Sequence, residues 1–406
     1  MTTCASTKLR SKRLAQRRGD SERISLLFFS ATLHLCALLL LANQSFADWP
    51  FTRGGAASTG VAESSLPDEP KLLWEYRIQD SGFDAGAVVS GGVAYLGDID
   101  GTVHAVNLAD GSVVWTKSFE DSGFLAPGAI ADDALVIGDF NGVIRCLALS
   151  DGAERWAFDA DGGEVYAGPL VHEGVALVTT EIGRLHALEL ADGAERWRFE
   201  ISDPLRCSPT VVNGHALLAG CDGKLHAVDV ANGEESGSAD IGGPTGSSAA
   251  AIAGVAYFGT EGGEFYAVDI STPAEPNVLW KYRDAKRGQG IRTAPAVSPD
   301  RLVYGTQGKS LYCLRPADGE VLWQSPQRTS IESSPVIAGN RVVAAPKSGK
   351  LLLMALADGE ILWEFDAGGS IVASPAVTGG KLLIPTTDGV LYCFGAGEPQ
   401  MDTDKR

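Results

Sequence analysis

From residue 85 onward the chain is built from short apolar runs separated by glycine-containing turns, and one unit shows the pattern. Residues 208–233 read SPTVVNGHALLAGCDGKLHAVDVANG. Three apolar runs are split by Asn213-Gly214 and Asp222-Gly223 and end at Asn232-Gly233. Asx-Gly pairs favour tight hairpin turns because both central residues must accept positive φ. Three turns of this kind predict four antiparallel strands. The runs are apolar at successive positions instead of alternating with polar residues, which predicts strands covered on both faces.

The unit repeats. Beyond Trp49, tryptophans stand at 74, 115, 156, 197, 280, 323 and 363, in steps of 41, 41, 41, 83, 43 and 40. The step of 83 spans two repeats, with Gly237 in the place of the missing tryptophan. Most of these tryptophans follow an Asp-Gly turn: Asp110-Gly111, Asp151-Gly152, Asp192-Gly193, Asp318-Gly319 and Asp358-Gly359. In the fifth repeat the turn is replaced by Ser271–Pro276, to which the longer step is assigned. A period near 41 with four short strands per unit predicts propeller blades.

Eight sets of first-to-third strands begin near Ala85, Ala126, Ala167, Cys207, Ser247, Thr293, Ser333 and Ala373. The eighth ends at Phe394 without a tryptophan strand, whereas Lys71–Tyr76 is a tryptophan strand without its other three. The expected fold is therefore all-β: an eight-bladed β-propeller of four-stranded antiparallel blades, closed by the N-terminal tryptophan strand joining the C-terminal strands. Closure removes an exposed sheet edge. The expected docking residues are Trp74, Trp115, Trp156, Trp197, Trp280, Trp323 and Trp363. A small residue six positions before the turn glycine (Ala105, Cys146, Ala187, Ala227, Cys313) is read as room for an indole from the adjoining blade.

The stretch Ala105-x-Asn107-x-x-Asp110-Gly111-x-x-x-Trp115, with its copies at Ala187–Trp197 and Ala227–Gly237, resembles the tryptophan-docking repeat of pyrroloquinoline quinone (PQQ)-like propellers. The resemblance runs from Trp74 to Phe394. It implies one of two branches. Quinoprotein dehydrogenases hold PQQ and calcium at the propeller axis, and Asp48-Trp49-Pro50 with Arg53-Gly54 looks like a worn version of their N-terminal segment. The other branch, represented by the outer-membrane assembly factor BamB, is non-enzymatic and binds a protein partner through surface loops. Uniform repeat length, the absence of a Cys-Cys pair and the lack of an evident Glu, Asn and Asp ligand set favour the second. The expectation is thus a protein-binding scaffold with no cofactor and no catalytic residue. PQQ-dependent oxidation with calcium, or binding of a small anion or glycan at the channel mouth, stand as alternatives.

Charge and the N-terminus narrow the setting. The chain has 406 residues with 33 basic and 51 acidic side chains, a net charge of −18. Seven of the basic and two of the acidic residues lie in the first 47, leaving 26 against 49. Basic residues in the body are outnumbered and read as unclustered, which argues against nucleic acid as a partner. The basic start followed by apolar Leu26–Ala42 and by Ser45-Phe46-Ala47 reads as a signal peptide over 1–47, cleaved before Asp48 or retained as an anchor. Leu35 before Cys36 does not suit a lipoprotein signal. The remaining divisions are an extended lead-in at 48–70, the propeller at 71–395 and a polar tail at 396–406. The expected product is a soluble, monomeric periplasmic or otherwise exported protein without a further membrane span, working with an envelope protein partner.

Aligning the repeats places one residue per blade at the channel mouth: Asp84, Leu125, Tyr166, Arg206, Gly246, Arg292, Glu332 and Val372. Asp84, Tyr166, Arg206, Arg292 and Glu332 are the candidate mouth or partner-binding residues. Arg206 or Arg292 can hold a carboxylate in a two-pronged contact. The plainer reading is that Arg292 and Glu332, on neighbouring blades, pair with each other. Asp98-x-Asp100-Gly101 and Asp139-x-Asn141-Gly142 resemble the start of calcium loops but lack the later ligands, and are read as turns. His104, His186 and His226 repeat at one position in separate blades and should not converge on a metal. Cys207 and Cys221 flank the Asn213-Gly214 turn and are the candidate disulfide, whereas Cys146, Cys313 and Cys393 are read as packing residues.

Overall fold

The computed structural model describes residues 48–286 and 288–397. The signal-peptide reading and most of the polar tail lie outside these residues. The described part contains strands and no helix, arranged as eight antiparallel blades in a propeller ring. The first blade comprises Val88–Ser90, Val93–Gly97, Thr102–Asn107 and Val113–Ser118, ordered from the channel outward. Its two middle strands are almost wholly buried, as expected for a sheet sandwiched between two neighbours. The last blade joins Lys71–Arg77 to Val390–Gly395, with Trp74 opposite Cys393 and Tyr76 opposite Leu391. The chain ends thus share one sheet.

Each tryptophan strand reaches the next blade in the same way. Trp74 Nε1 donates to the Leu108 carbonyl at 3.2 Å, Trp115 to Leu149 at 2.8 Å and Trp156 to Leu190 at 2.8 Å. Trp197, Trp280 and Trp323 repeat the bond to Val230, Pro316 and Leu356. The ring of each indole lies over the turn glycine of that next blade. A Cβ at Gly111, which has φ of +76°, would stand 2.8 Å from Trp74, and Gly152 and Gly193 meet Trp115 and Trp156 alike. The glycine is therefore required twice, for its backbone and for the close approach. The small residue read as making this room does something else: Ala105 stands opposite Trp115 of its own blade, and Ala187 opposite Trp197. Trp363 meets the final blade, which ends before such a turn, edge-on against Phe394 with ring centres 5.4 Å apart.

The two irregularities around the fourth and fifth repeats are one feature. At Gly237 a Cβ would lie 2.5 Å from the Ala274 carbonyl oxygen and 2.7 Å from that of Pro273. The enlarged turn Ser271–Pro276 therefore folds its backbone into the space that an indole fills elsewhere. The later step of 43, from Trp280 to Trp323, has a separate cause in the lengthened connection over residues 283–292. That connection gathers Arg283, Lys286 and Arg292 beside Lys281, so basic residues do cluster in the body, contrary to the compositional reading.

The lead-in segment is the second element that holds the ring. Trp49 pairs with Val89 through two 2.9 Å backbone bonds. The carbonyls of Pro50, Ala56, Ala57, Thr59 and Gly60 then accept the N–H groups of Ile130, Val211, Ala251, Val297 and Ile337 at 2.8–2.9 Å. Val61–Ala62 adds a parallel strand to Val336–Ala338. Residues 49–62 thus bond to the innermost strands of six blades and run around the inside of the channel.

Candidate binding site at the channel mouth

The connection between blades crosses from the outer rim toward the axis and brings one aligned residue per blade to the mouth end. Six of the eight aligned residues, Asp84, Tyr166, Arg206, Gly246, Arg292 and Val372, line a single cavity of about 160 Å³. Leu125 is not among its lining residues, and Glu332 lines a neighbouring depression with Gln307, Lys309 and Lys347. Thr52 and Arg53 of the lead-in segment complete the first cavity.

A second set of eight residues frames the mouth. The loop joining the second and third strands of every blade bonds back to the connection that precedes the blade, through the N–H of Ile99, Phe140, Glu181, Cys221, Glu261, Gln307, Lys347 and Thr387. Each stands fifteen positions after the corresponding mouth residue. This constant offset was available in the sequence and decides how the mouth charges pair. Arg206 forks onto Glu181, with Nε 2.8 Å from Oε2. Arg292 Nε donates to Glu261 at 2.8 Å and, in the amide orientation that satisfies both groups, to the Gln307 oxygen at 3.0 Å. Glu332 faces Lys347 at 3.2 Å. The expected Arg292–Glu332 pair is therefore absent among the described residues, because each partner is met first by a loop tip lying between the mouth positions.

Local electrostatics follow from these contacts. The hydrogen bond to Glu181 holds Arg206 above the ordinary arginine range. Burial raises the Asp84 carboxyl, with Lys347 opposing the shift. Tyr166 is 44% exposed, and its hydroxyl is raised first by a hydrogen bond to Glu164 and then by burial. Deeper in, Arg53 is 1% exposed. It donates to the carbonyls of Ser334, at 3.3 Å, Pro295, at 3.2 Å, and Pro335. Burial pulls its pKa well below the usual arginine range. A Cβ at Gly60, where φ is +63°, would collide with its guanidinium. Arg53 was read only as part of a worn N-terminal motif; it lies outside the repeat, so no periodicity marked it.

The other singled-out groups are engaged in the fold. Asp98 Oδ1 accepts the N–H groups of Asp100 and Thr102, and Asp139 Oδ1 those of Asn141 and Val143, the geometry of side-chain-capped turns. His104 bridges Asp98 and Tyr76 at 3.0 and 2.9 Å, and His226 bridges Asp222 and Glu235 at 2.9 and 2.7 Å. His186 bonds Glu195 at 2.7 Å. The aromatic two residues after a tryptophan packs on the histidine of the next blade: Phe158 on His186 and Phe199 on His226. Cys207 and Cys221 are free thiols. With Thr210 opposite Leu217, the register carries Cys207 toward Gly220 instead of Cys221. Cys146, Cys313 and Cys393 are buried.

Eight four-stranded blades, seven of them carrying a docking tryptophan, define a propeller of the PQQ-like repeat class. The chain belongs to the family of the outer membrane protein assembly factor BamB, whose family model matches residues 64–138 and 140–395. Among solved structures it is similar to BamB from Moraxella catarrhalis, with 18% identity, a TM-score of 0.69, and coverage of 81% of this chain and 98% of that one. It is similar in fold to the quinohemoprotein alcohol dehydrogenase from Comamonas testosteroni, at 15% identity and a TM-score of 0.73, over 87% and 82% of the two chains. The computationally designed Ika8 protein gives 14% identity and a TM-score of 0.71, over 80% of this chain and 100% of that one. No curated protein matches the sequence.

Proposed function

We propose that the protein is an exported, non-enzymatic scaffold that binds another envelope protein, in outer-membrane protein assembly. The observation that carries this reading is the channel itself. Residues 49–62 occupy its inner edge by bonding to six blades, and the mouth cavity of about 160 Å³ falls below the roughly 300–1,000 Å³ usual for cofactor sites. The donor set supports this reading over calcium with a quinone. The described residues hold no group of three or more His, Cys, Asp or Glu suited to a metal, and Glu181, Glu261 and Glu332 are each paired with a cation. No helix of the described residues is long and apolar enough to cross a membrane.

What remains is a rigid face bearing Tyr166 beside the Arg206–Glu181 pair. Tyrosine and arginine are the side chains that most often anchor protein interfaces. The test is capture from detergent-solubilised envelope, using the chain from Asp48 onward and the double variant Tyr166→Ala, Arg206→Ala. One stoichiometric protein partner, lost or weakened with the variant, is expected. Absence of a stoichiometric partner, or dye-linked alcohol oxidation after addition of PQQ and calcium, overturns the reading.

A further inference from the structure

The mouth cavity holds a positive charge, that of Arg53, without a carboxylate partner among the described residues. Arg53 is fully enclosed, its three hydrogen bonds go to carbonyls, and its Nε has no partner. No carboxylate pairs with it among the described residues. Arginines elsewhere at the mouth differ, since Arg206 and Arg292 each have a glutamate. A buried charge is costly unless an opposite charge meets it.

The walls around it are donors. Thr52 Oγ1 is buried without a hydrogen-bond partner and lines the same cavity. The hydroxyls of Ser248, Ser334 and Ser374 accept the N–H groups of Ser208, Ala294 and Ser334 at 2.8, 3.0 and 3.1 Å. Each hydroxyl, spent as an acceptor, has its proton to give, and all three residues line the cavity. The one carboxylate among the lining residues, Asp84, faces the influence of Lys347.

We propose that this cavity binds the carboxylate of a small monoanionic acid, with Arg53 as the charge partner and Thr52 and the three serines as hydroxyl donors. A guanidinium beside several donors matches a planar, doubly accepting group. A single uncompensated charge, with Asp84 nearby, favours a monoanion over a phosphate dianion. The volume of about 160 Å³ admits a compact acid and not a peptide. The cavity shares Tyr166 and Arg206 with the proposed partner face, but the groups assigned to the carboxylate lie deeper and are tested without a partner.

The experiment is calorimetric titration of the chain from Asp48 onward in Hepes without added chloride, using acetate, propionate, lactate, inorganic phosphate and sodium chloride in turn. At least one of the three acids should bind at one site per chain with a dissociation constant of about 1 mM or tighter. Arg53→Gln should weaken it about tenfold or more, whereas Arg155→Gln, a surface residue paired with Asp133, should leave it unchanged. If Arg53→Gln does not fold, Ser374→Ala and Gly60→Ala take its place, and each should weaken binding several-fold. Failure of all three acids to bind, binding by phosphate or chloride alone, or full affinity in these variants overturns the assignment.

Discussion

Restoring the missing tryptophan should harm this propeller. Gly237 occupies the docking position that six other blades fill with an indole hydrogen-bonded to the following blade, so Gly237→Trp is what repeat consensus recommends. The structure reverses the sign. A Cβ at position 237 already lies 2.5 Å from the Ala274 carbonyl oxygen and 2.7 Å from the Ala274 and Pro273 backbone. These are main-chain atoms held in a folded turn, which cannot swing away as a side-chain end does. Overfilling a packed site costs about 1–3 kcal/mol, and an indole meeting backbone belongs at the upper end. Even Gly237→Ala should lose the roughly 0.5–1 kcal/mol that replacing a strand glycine gains elsewhere. Urea unfolding followed by far-ultraviolet circular dichroism should place Gly237→Trp below the parent, with Gly237→Ala at or slightly below it. Replacing Ser271–Pro276 by a two-residue Asp-Gly turn should recover stability only in the Gly237→Trp background, a coupling of about 1–3 kcal/mol. A Gly237→Trp protein as stable as the parent, with the long turn intact, would refute the argument.

Two further outcomes follow from buried titratable groups. Iodoacetamide should label the folded chain from Asp48 at Cys221 alone, because Cys146, Cys207, Cys313 and Cys393 are buried, with the Cys207 thiol pushed up to about 12 by burial. After unfolding, all five should react with or without reductant; a count of three without reductant would instead establish a Cys207–Cys221 disulfide. Tyr304 stacks on Phe265 and Tyr312 with ring centres 4.4 and 5.3 Å apart, and burial raises its pKa well above 10. The unfolded chain releases that proton near pH 10 while the folded chain keeps it, so the folded state binds more protons and stability falls as pH rises past about 10. Tyr304→Phe should flatten this loss between pH 9 and 11, as read from urea midpoints; parallel curves for parent and variant would count against it.

How far the sequence could be read depended on periodicity. Fold, blade number and the joining of the Lys71–Tyr76 strand to the sheet that ends at Phe394 follow from a step repeated along the chain, and each appears in the sheet topology. The mouth was half legible. Alignment of the repeats marks Arg206 and Arg292 but not their partners, because Glu181 and Glu261 sit on loop tips outside the aligned mouth positions. Adding the fifteen-residue offset would have paired them. Arg53 had no such signal. It lies outside the repeat, and its position emerges only when residues 49–62 meet strands spread across the whole chain. The exchange between Gly237 and Ser271–Pro276 was visible as two departures, yet their identity as one contact required knowing which glycine receives which indole.

The ring is closed in two physically different ways, and the difference shapes what the molecule can do. The strand Lys71–Arg77 completes the last sheet, and its indole locks that sheet to Gly111 of the first. This secures the outside. On the inside, the short innermost strands are sheet edges of the kind that recruits extended chain. Residues 49–62 satisfy that edge in six blades, each bond contributing about 0.5–1.5 kcal/mol net. Because the segment is tethered to Lys71, it competes at high effective concentration against any extended peptide from another protein. In those six blades the channel edge is thereby closed to a docking strand. On the proposed reading, recognition is then left to the mouth above Arg53 and to the loop-bearing face around Tyr166 and Arg206.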